Sequence, residues 1–128
     1  MCGIVGFTGP RDPDLLGQMI ESIKHRGPDG EGKFENDFFS IGMRRLCIID
    51  PKTGWQPMWN EDKTLGIIMN GEIYNYRELW DSLISKGHKF NTDHSDTETV
   101  LHGYEEWGSD VLQKLRGMFA FCIIDLKK

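Results

Sequence analysis

Met1-Cys2-Gly3-Ile4-Val5-Gly6-Phe7 is the stretch around which the chain is organised. Cys2 follows the initiator methionine directly, and its small side chain predicts removal of Met1. The mature chain would then begin with a cysteine carrying a thiol and a free α-amine. Such an amine has a reference pKa of about 7.7–8.0, so near neutrality much of it is an unprotonated base. It can take the thiol's proton, directly or through water, without a histidine. Ile4, Val5 and Phe7 read as a short strand that pins this terminus, with Gly3 and Gly6 allowing close backbone approach. A buried structural cysteine on an ordinary apolar strand fits the same seven residues.

The remaining 121 residues of the 128 bound the answer. This length holds one domain with one core, and a domain spanning 1–128 is expected. Apolar and aromatic shares of 38% and 11% suit a globular chain rather than a disordered one. The net charge is −5 and the longest basic run is Arg44-Arg45, which argues against nucleic acid as a partner. No apolar run approaches the ~20 residues of a membrane span, and no signal segment opens the chain. Cys2, Cys47 and Cys122 are odd in number and far apart, which points to a reducing compartment, the cytoplasm. A metal set drawn from His25, His88, His94, His102 and the cysteines is disfavoured, because no pair has ligand spacing on one helix face.

Along the chain, Asp12-Pro13 reads as a helix start and Leu15, Leu16, Met19, Ile20 and Ile23 as its apolar stripe, with Gly27-Pro28 as its stop. Asp29, Gly30 and Gly32 read as a tight loop; with no GK[ST] behind them, turn chemistry is preferred to a phosphate cradle. Phe38 to Ile49 is β-rich. Arg44 and Arg45 inside it either face solvent or need an anionic partner, since an unpaired buried charge is costly. Residues 54–63 read as a polar loop, and Leu65–Met69 as a buried strand running into Asn70-Gly71. That dipeptide ordinarily makes a turn. Alternatively, a side-chain amide beside an unobstructed glycine N–H supplies two donors for an oxyanion hole.

A helix is expected over 76–86, with Leu79, Trp80, Leu83 and Ile84 on its core face. Ser95-Asp96-Thr97-Glu98 reads as a capping box opening a helix that ends at Gly108. A short helix over 109–115 then leads to Met118–Ile124, an apolar strand of the kind buried on both faces.

Together these pieces resemble the glutaminase domain of class II glutamine amidotransferases, the asparagine synthetase group above all. The resemblance rests on eight stretches in the family's order: Met1 to Phe7, His25-Arg26-Gly27-Pro28-Asp29, Arg44-Arg45-Leu46, Ile48-Ile49-Asp50, Gln56-Pro57-Met58, Asn70-Gly71-Glu72-Ile73-Tyr74-Asn75, Ser95-Asp96-Thr97-Glu98 and Gly117-Met118-Phe119-Ala120-Phe121. It implies an α+β N-terminal-nucleophile hydrolase fold, antiparallel β-sheets layered between α-helices, as an incomplete four-layer sandwich lacking its C-terminal part. It also implies hydrolysis of the glutamine side-chain amide to glutamate, with the ammonia passed to a synthetase domain or subunit for asparagine biosynthesis. Cys2 would be the nucleophile, and Asn70 with the Gly71 N–H the oxyanion hole. Arg45 would hold the substrate α-carboxylate, Asp96 with Glu72 the α-ammonium, and Ile48 and Ile49 the pocket wall. No metal and no cofactor are implied in this segment; ATP and Mg belong to the absent synthetase domain. The family commonly has histidine where Met43 stands and serine where Cys47 stands, which predicts altered packing. The strand at Met118–Ile124 would expose an apolar edge, inviting a homodimer. A glutamine-binding or interaction module without turnover is the competing expectation.

Overall fold

The computed structural model describes residues 2–47 and 54–128, so Ile48 and Ile49 lie outside the described residues. Strand β1 (Gly3–Thr8) is followed by helix α1 (Pro13–Ser22), β2 (Gly30–Glu35), β3 (Phe39–Arg45), β4 (Met58–Trp59) and β5 (Leu65–Ile73). Helices α2 (Tyr76–Ser85) and α3 (Asp96–Trp107) precede β6 (Gly117–Asp125). Among the described residues the strands form two antiparallel three-stranded sheets, ordered β1-β3-β2 and β4-β5-β6.

The two-residue alternation of strands builds the layers. Ile41 and Met43 of β3 meet Ile68 of β5 and Ile124 of β6 between the sheets. The alternate β5 residues, Leu65, Ile67, Met69 and Ile73, pack on Val100 and Leu101 of α3. On the other outer face, Gly42 of β3 lies so close to Ile20 of α1 that a Cβ there would collide with it. The stack is therefore helix, sheet, sheet, helix, as expected for an N-terminal-nucleophile fold. Met43 takes its place in the inter-sheet core, 1% exposed.

The helix starts follow the sequence. Asp12 accepts the Leu15 N–H at 2.9 Å ahead of Pro13, and Ser95 accepts the Glu98 N–H at 3.1 Å. The second half of the expected capping box does not close. Glu98 instead accepts the Asn91 and Thr92 N–H groups at 2.6 and 2.9 Å, tying the preceding loop to the helix.

Four readings are corrected. Gly30 and Gly32 do not turn; they lie in β2, where Gly32 admits the Gln56 backbone against the strand. Residues 54–63 contain the short strand β4. Ile84 of α2 is 48% exposed, because α2 packs on α3 rather than on a sheet. β6 is not buried on both faces: it is the outer strand of its sheet, Ile124 is buried, and Met118 is 67% exposed.

Candidate functional site

Cys2 is half-buried at the head of β1. The Leu46 N–H donates to its sulfur at 3.4 Å, and Arg26 Nε donates to its carbonyl oxygen at 3.1 Å. The chain can pass this closely because Gly27 has no side chain; a Cβ there would overlap the Arg44–Arg45 peptide. Gly3 pairs with Arg44 and Ile4 with Met43, so one further step along the ladder sets Cys2 beside Arg45.

The same alternation separates the two arginines. Arg44 turns away from the inter-sheet face, is 6% exposed and pairs with Glu31 at 2.9 Å. Arg45 falls on the inter-sheet side with Ile41 and Met43, its guanidinium 5.2 Å from the centre of the Trp55 ring. Asp29 holds the exit of β3: its N–H donates to the Arg45 carbonyl at 3.0 Å and its carboxylate accepts the Cys47 N–H at 2.7 Å.

On the facing sheet, Asn70-Gly71 does not turn. β5 runs straight through both, pairing Asn70 with Ala120 and Gly71 with Phe119. Gly71 has φ +151°, and a Cβ would collide with the Met118 carbonyl and Phe119 Cα, so only glycine keeps the strand continuous here. Asn70 shares the face of Ile68, the one turned towards the first sheet. β1 packs against β5, so the strands that carry the two halves of the site are neighbours.

The direction of the Gly71 N–H follows from the ladder. Tyr74 N–H donates to the Arg116 carbonyl and Leu126 N–H to the Thr64 carbonyl, so the even-numbered β5 residues bond to β6. The odd-numbered N–H groups point off the opposite edge. Met69's is taken by Gln56 Oε1 at 2.7 Å and Ile73's by Asp96 Oδ2 at 2.9 Å. Gly71's lies between them on the same edge.

Asp96, at the start of α3, thus joins the end of β5. Burial pushes its carboxyl above the usual range, the Ile73 and Thr97 N–H groups oppose this, and the nearby Glu72 charge adds to it. Asn75 ties the same end of the sheet to the opposite chain, donating to the Lys114 carbonyl and accepting the Arg116 N–H, both at 2.9 Å.

The predicted residues therefore fall into two groups on facing sheets, Cys2 with Arg45 and Asn70-Gly71 with Glu72 and Asp96. Four supports were read only as parts of motifs: Arg26, Asp29, Gln56 and Asn75. Their signal is polarity inside otherwise structural stretches, each side chain ending on a backbone atom in or beside a strand of the two sheets.

A family model described as a glutamine amidotransferase domain matches residues 1–128. Asparagine synthetase [glutamine-hydrolyzing] 1 of Bacillus subtilis is 48% identical over 96% of this chain and 20% of its own length. Asparagine synthetase [glutamine-hydrolyzing] 1 of Arabidopsis thaliana is 41% identical over 99% of this chain and 22% of its own. The chain thus spans about one fifth of the length of these relatives. Among solved structures, a Bacillus subtilis glutamine phosphoribosylpyrophosphate amidotransferase complexed with ADP and GMP superposes at TM-score 0.74 and 21% identity, over 96% of this chain and 35% of that one. An allosteric regulatory enzyme of purine biosynthesis superposes at TM-score 0.77 and 21% identity, over 98% of this chain and 36% of that one. These two show a shared fold.

Proposed function

The chain belongs to the glutamine amidotransferase domain family, and from that premise we propose that it hydrolyses the side-chain amide of L-glutamine, using Cys2 as nucleophile once Met1 is removed. The observation that carries this reading is the Gly71 N–H. It is a strand donor that the ladder aims off the β6 side of β5, between two that side chains have claimed, next to the Asn70 amide.

In the proposed reaction the freed α-amine of Cys2 takes the thiol proton and the sulfur attacks the amide carbon. The Asn70 side chain and Gly71 N–H receive the oxyanion, each such donor being worth roughly 2.7–4 kcal/mol in the transition state. Collapse expels ammonia, which carries off the proton held by the amine, and leaves a γ-glutamyl thioester. Water adds to the thioester, the amine taking one of its protons; glutamate departs and the thiol is restored. A zwitterionic substrate suits the charges of the cleft. Arg45 can grip its α-carboxylate in a forked pair, and Asp96 with Glu72 its α-ammonium. Ile48 and Ile49 would supply wall contacts.

The ammonia would pass to a synthetase domain or subunit that uses ATP and Mg to make asparagine, as the names of the relatives suggest. Gly30 and Gly32 offer no phosphate cradle, since both are engaged in β2. The three free cysteines and the absence of any helix long and apolar enough to cross a membrane, among the described residues, support a cytoplasmic location. The outer strand β6, with Met118 exposed, supports a homodimer, which light scattering would detect.

The test is glutamate release from glutamine by the purified chain, with Cys2→Ala as control. Turnover that vanishes in the mutant is expected. A folded chain lacking Met1 that binds glutamine without turnover would instead make this a binding module.

A further inference from the structure

A second polar cluster sits where the segment leaving α2 meets α3. His102, 1% exposed on α3, places Nδ1 3.0 Å from Glu105 Oε2. His88 brings its own Nδ1 to 3.4 Å from the same oxygen. One donor atom from each of the three residues lies within 4.8 Å of the other two. Metal–nitrogen and metal–oxygen bonds of about 2.0–2.1 Å in a tetrahedron give ligand–ligand edges of about 3.4 Å. The two measured edges, 3.0 and 3.4 Å, lie just below and at that value.

The far side of each ring carries the second observation. His88 Nε2 is 3.0 Å from Glu106 Oε2, and His102 Nε2 faces the buried Glu98 Oε1 at 3.6 Å with no other partner. A neutral imidazole has one N–H, yet each ring here has a carboxylate on both nitrogens. At His88 the Glu106 carboxylate behind the ring can fix the tautomer and leave the Nδ1 lone pair facing inward, the arrangement that supports metal ligation, while Glu98 stands behind His102 beyond hydrogen-bond distance. Glu105 is oriented too, since Asn60 Nδ2 donates to its second oxygen at 3.1 Å. Three carboxylates, Glu98, Glu105 and Glu106, surround the two rings, with Lys86 on Glu106 at 3.0 Å as the nearby cation.

We propose that His88 Nδ1, His102 Nδ1 and Glu105 Oε2 form a site for a divalent transition cation of the zinc class, water completing the tetrahedron. The pattern was invisible in the sequence because only two of the ligands share a helix. The site would clamp the exit of α2 to α3, independently of glutamine hydrolysis.

The test is titration of the chelator-stripped chain with zinc chloride alone, followed by calorimetry and thermal unfolding. One zinc per chain and a higher Tm are expected, with cobalt(II) giving the visible spectrum of a tetrahedral site. His88→Gln and Glu105→Gln, both at partly accessible positions and checked for folding by circular dichroism, should weaken zinc by more than roughly 100-fold. Glu106→Gln, an outer partner, should weaken it by about 10–100-fold. Absence of saturable one-to-one binding at tens of micromolar would overturn the proposal and leave an imidazolium–carboxylate network. Binding retained in both ligand variants would overturn it equally, by placing zinc on the cysteines.

Discussion

Replacing Gly71 with alanine should damage fold and chemistry together, and the two losses can be separated. At φ +151° an L-residue is strained by about 1–3 kcal/mol. The added methyl would also drive into the Met118 carbonyl and Phe119 Cα across the ladder, an overpacking cost of about 1–3 kcal/mol. The sum, about 2–6 kcal/mol, is a large part of a typical ~5–15 kcal/mol stability. At roughly 3–6 °C per kcal/mol for a chain of this size, a mid-range loss of about 4 kcal/mol lowers Tm by about 12–24 °C. Relief requires β5 to part from β6 or the 70–71 peptide to rotate, and either re-aims the Asn70 amide and the Gly71 N–H. Below the new Tm, glutamate release should therefore fall at least 10²-fold, the cost of one oxyanion donor. Gly9→Ala is the control: φ is +126°, but nothing lies within 4 Å of the added carbon. It should show the backbone strain alone, with turnover unchanged. Urea titration followed by tryptophan fluorescence and a coupled glutamate assay read the two effects. An alanine variant with parental stability and turnover within threefold of the parent would refute the reasoning.

Asp96 tests the polar end of the cleft through pH. Its folded-state pKa is raised, so its contribution to stability is complete below the unfolded pKa and is lost as pH rises through the folded one. Asp96→Asn keeps an acceptor for the Ile73 N–H and should match or exceed the parent in Tm at neutral pH, an advantage that closes in acid, while glutamine binding is lost; a neutral-pH Tm clearly below the parent's would contradict this. Gln56→Ala leaves the Met69 N–H without its acceptor and should cost about 1–3 kcal/mol in urea unfolding, whereas a shift under 0.5 kcal/mol would mean that water replaces the amide. Burial raises the Cys122 thiol above its ordinary range, so iodoacetamide should modify it slowly at neutral pH and rapidly once the chain is unfolded, as peptide mass mapping would show. Comparable rates in the two states would mean that the inter-sheet core opens freely.

Helices were legible where local chemistry decides them: Asp12 with Pro13, and Ser95 with the Glu98 N–H, fix their starts within a few residues. β2 was hidden because Gly30 and Gly32 look like turn residues, and the reason for glycine at 32, the Gln56 backbone lying across it, is a tertiary contact. Asn70-Gly71 reads equally as a turn or a donor pair until β6 is known to continue past it. Cys2, Arg45, Asp96 and Glu72 received their proposed roles from the resemblance of their stretches. Which way Arg44 and Arg45 face was not legible from the residues alone, because it depends on the register of β1 and β2 on β3. His88 and His102 illustrate the same limit, since their proximity comes from how α2 packs on α3.

The pairing of β1 with β3 also has a consequence in time. In the proposed reaction Cys2 acts from the terminus of the chain, and Leu46, whose N–H meets its sulfur, is synthesised 44 residues after it. At about 5–20 residues per second, that leaves roughly 2–9 s in which the terminus has no strand to dock on. Methionine removal can be finished on an unstructured end, before the ladder forms. A substitution that slowed the aminopeptidase beyond that interval would trap the starting methionine against a formed sheet, leaving a chain that folds, resists proteolysis and still lacks the amine on which the proposed chemistry depends.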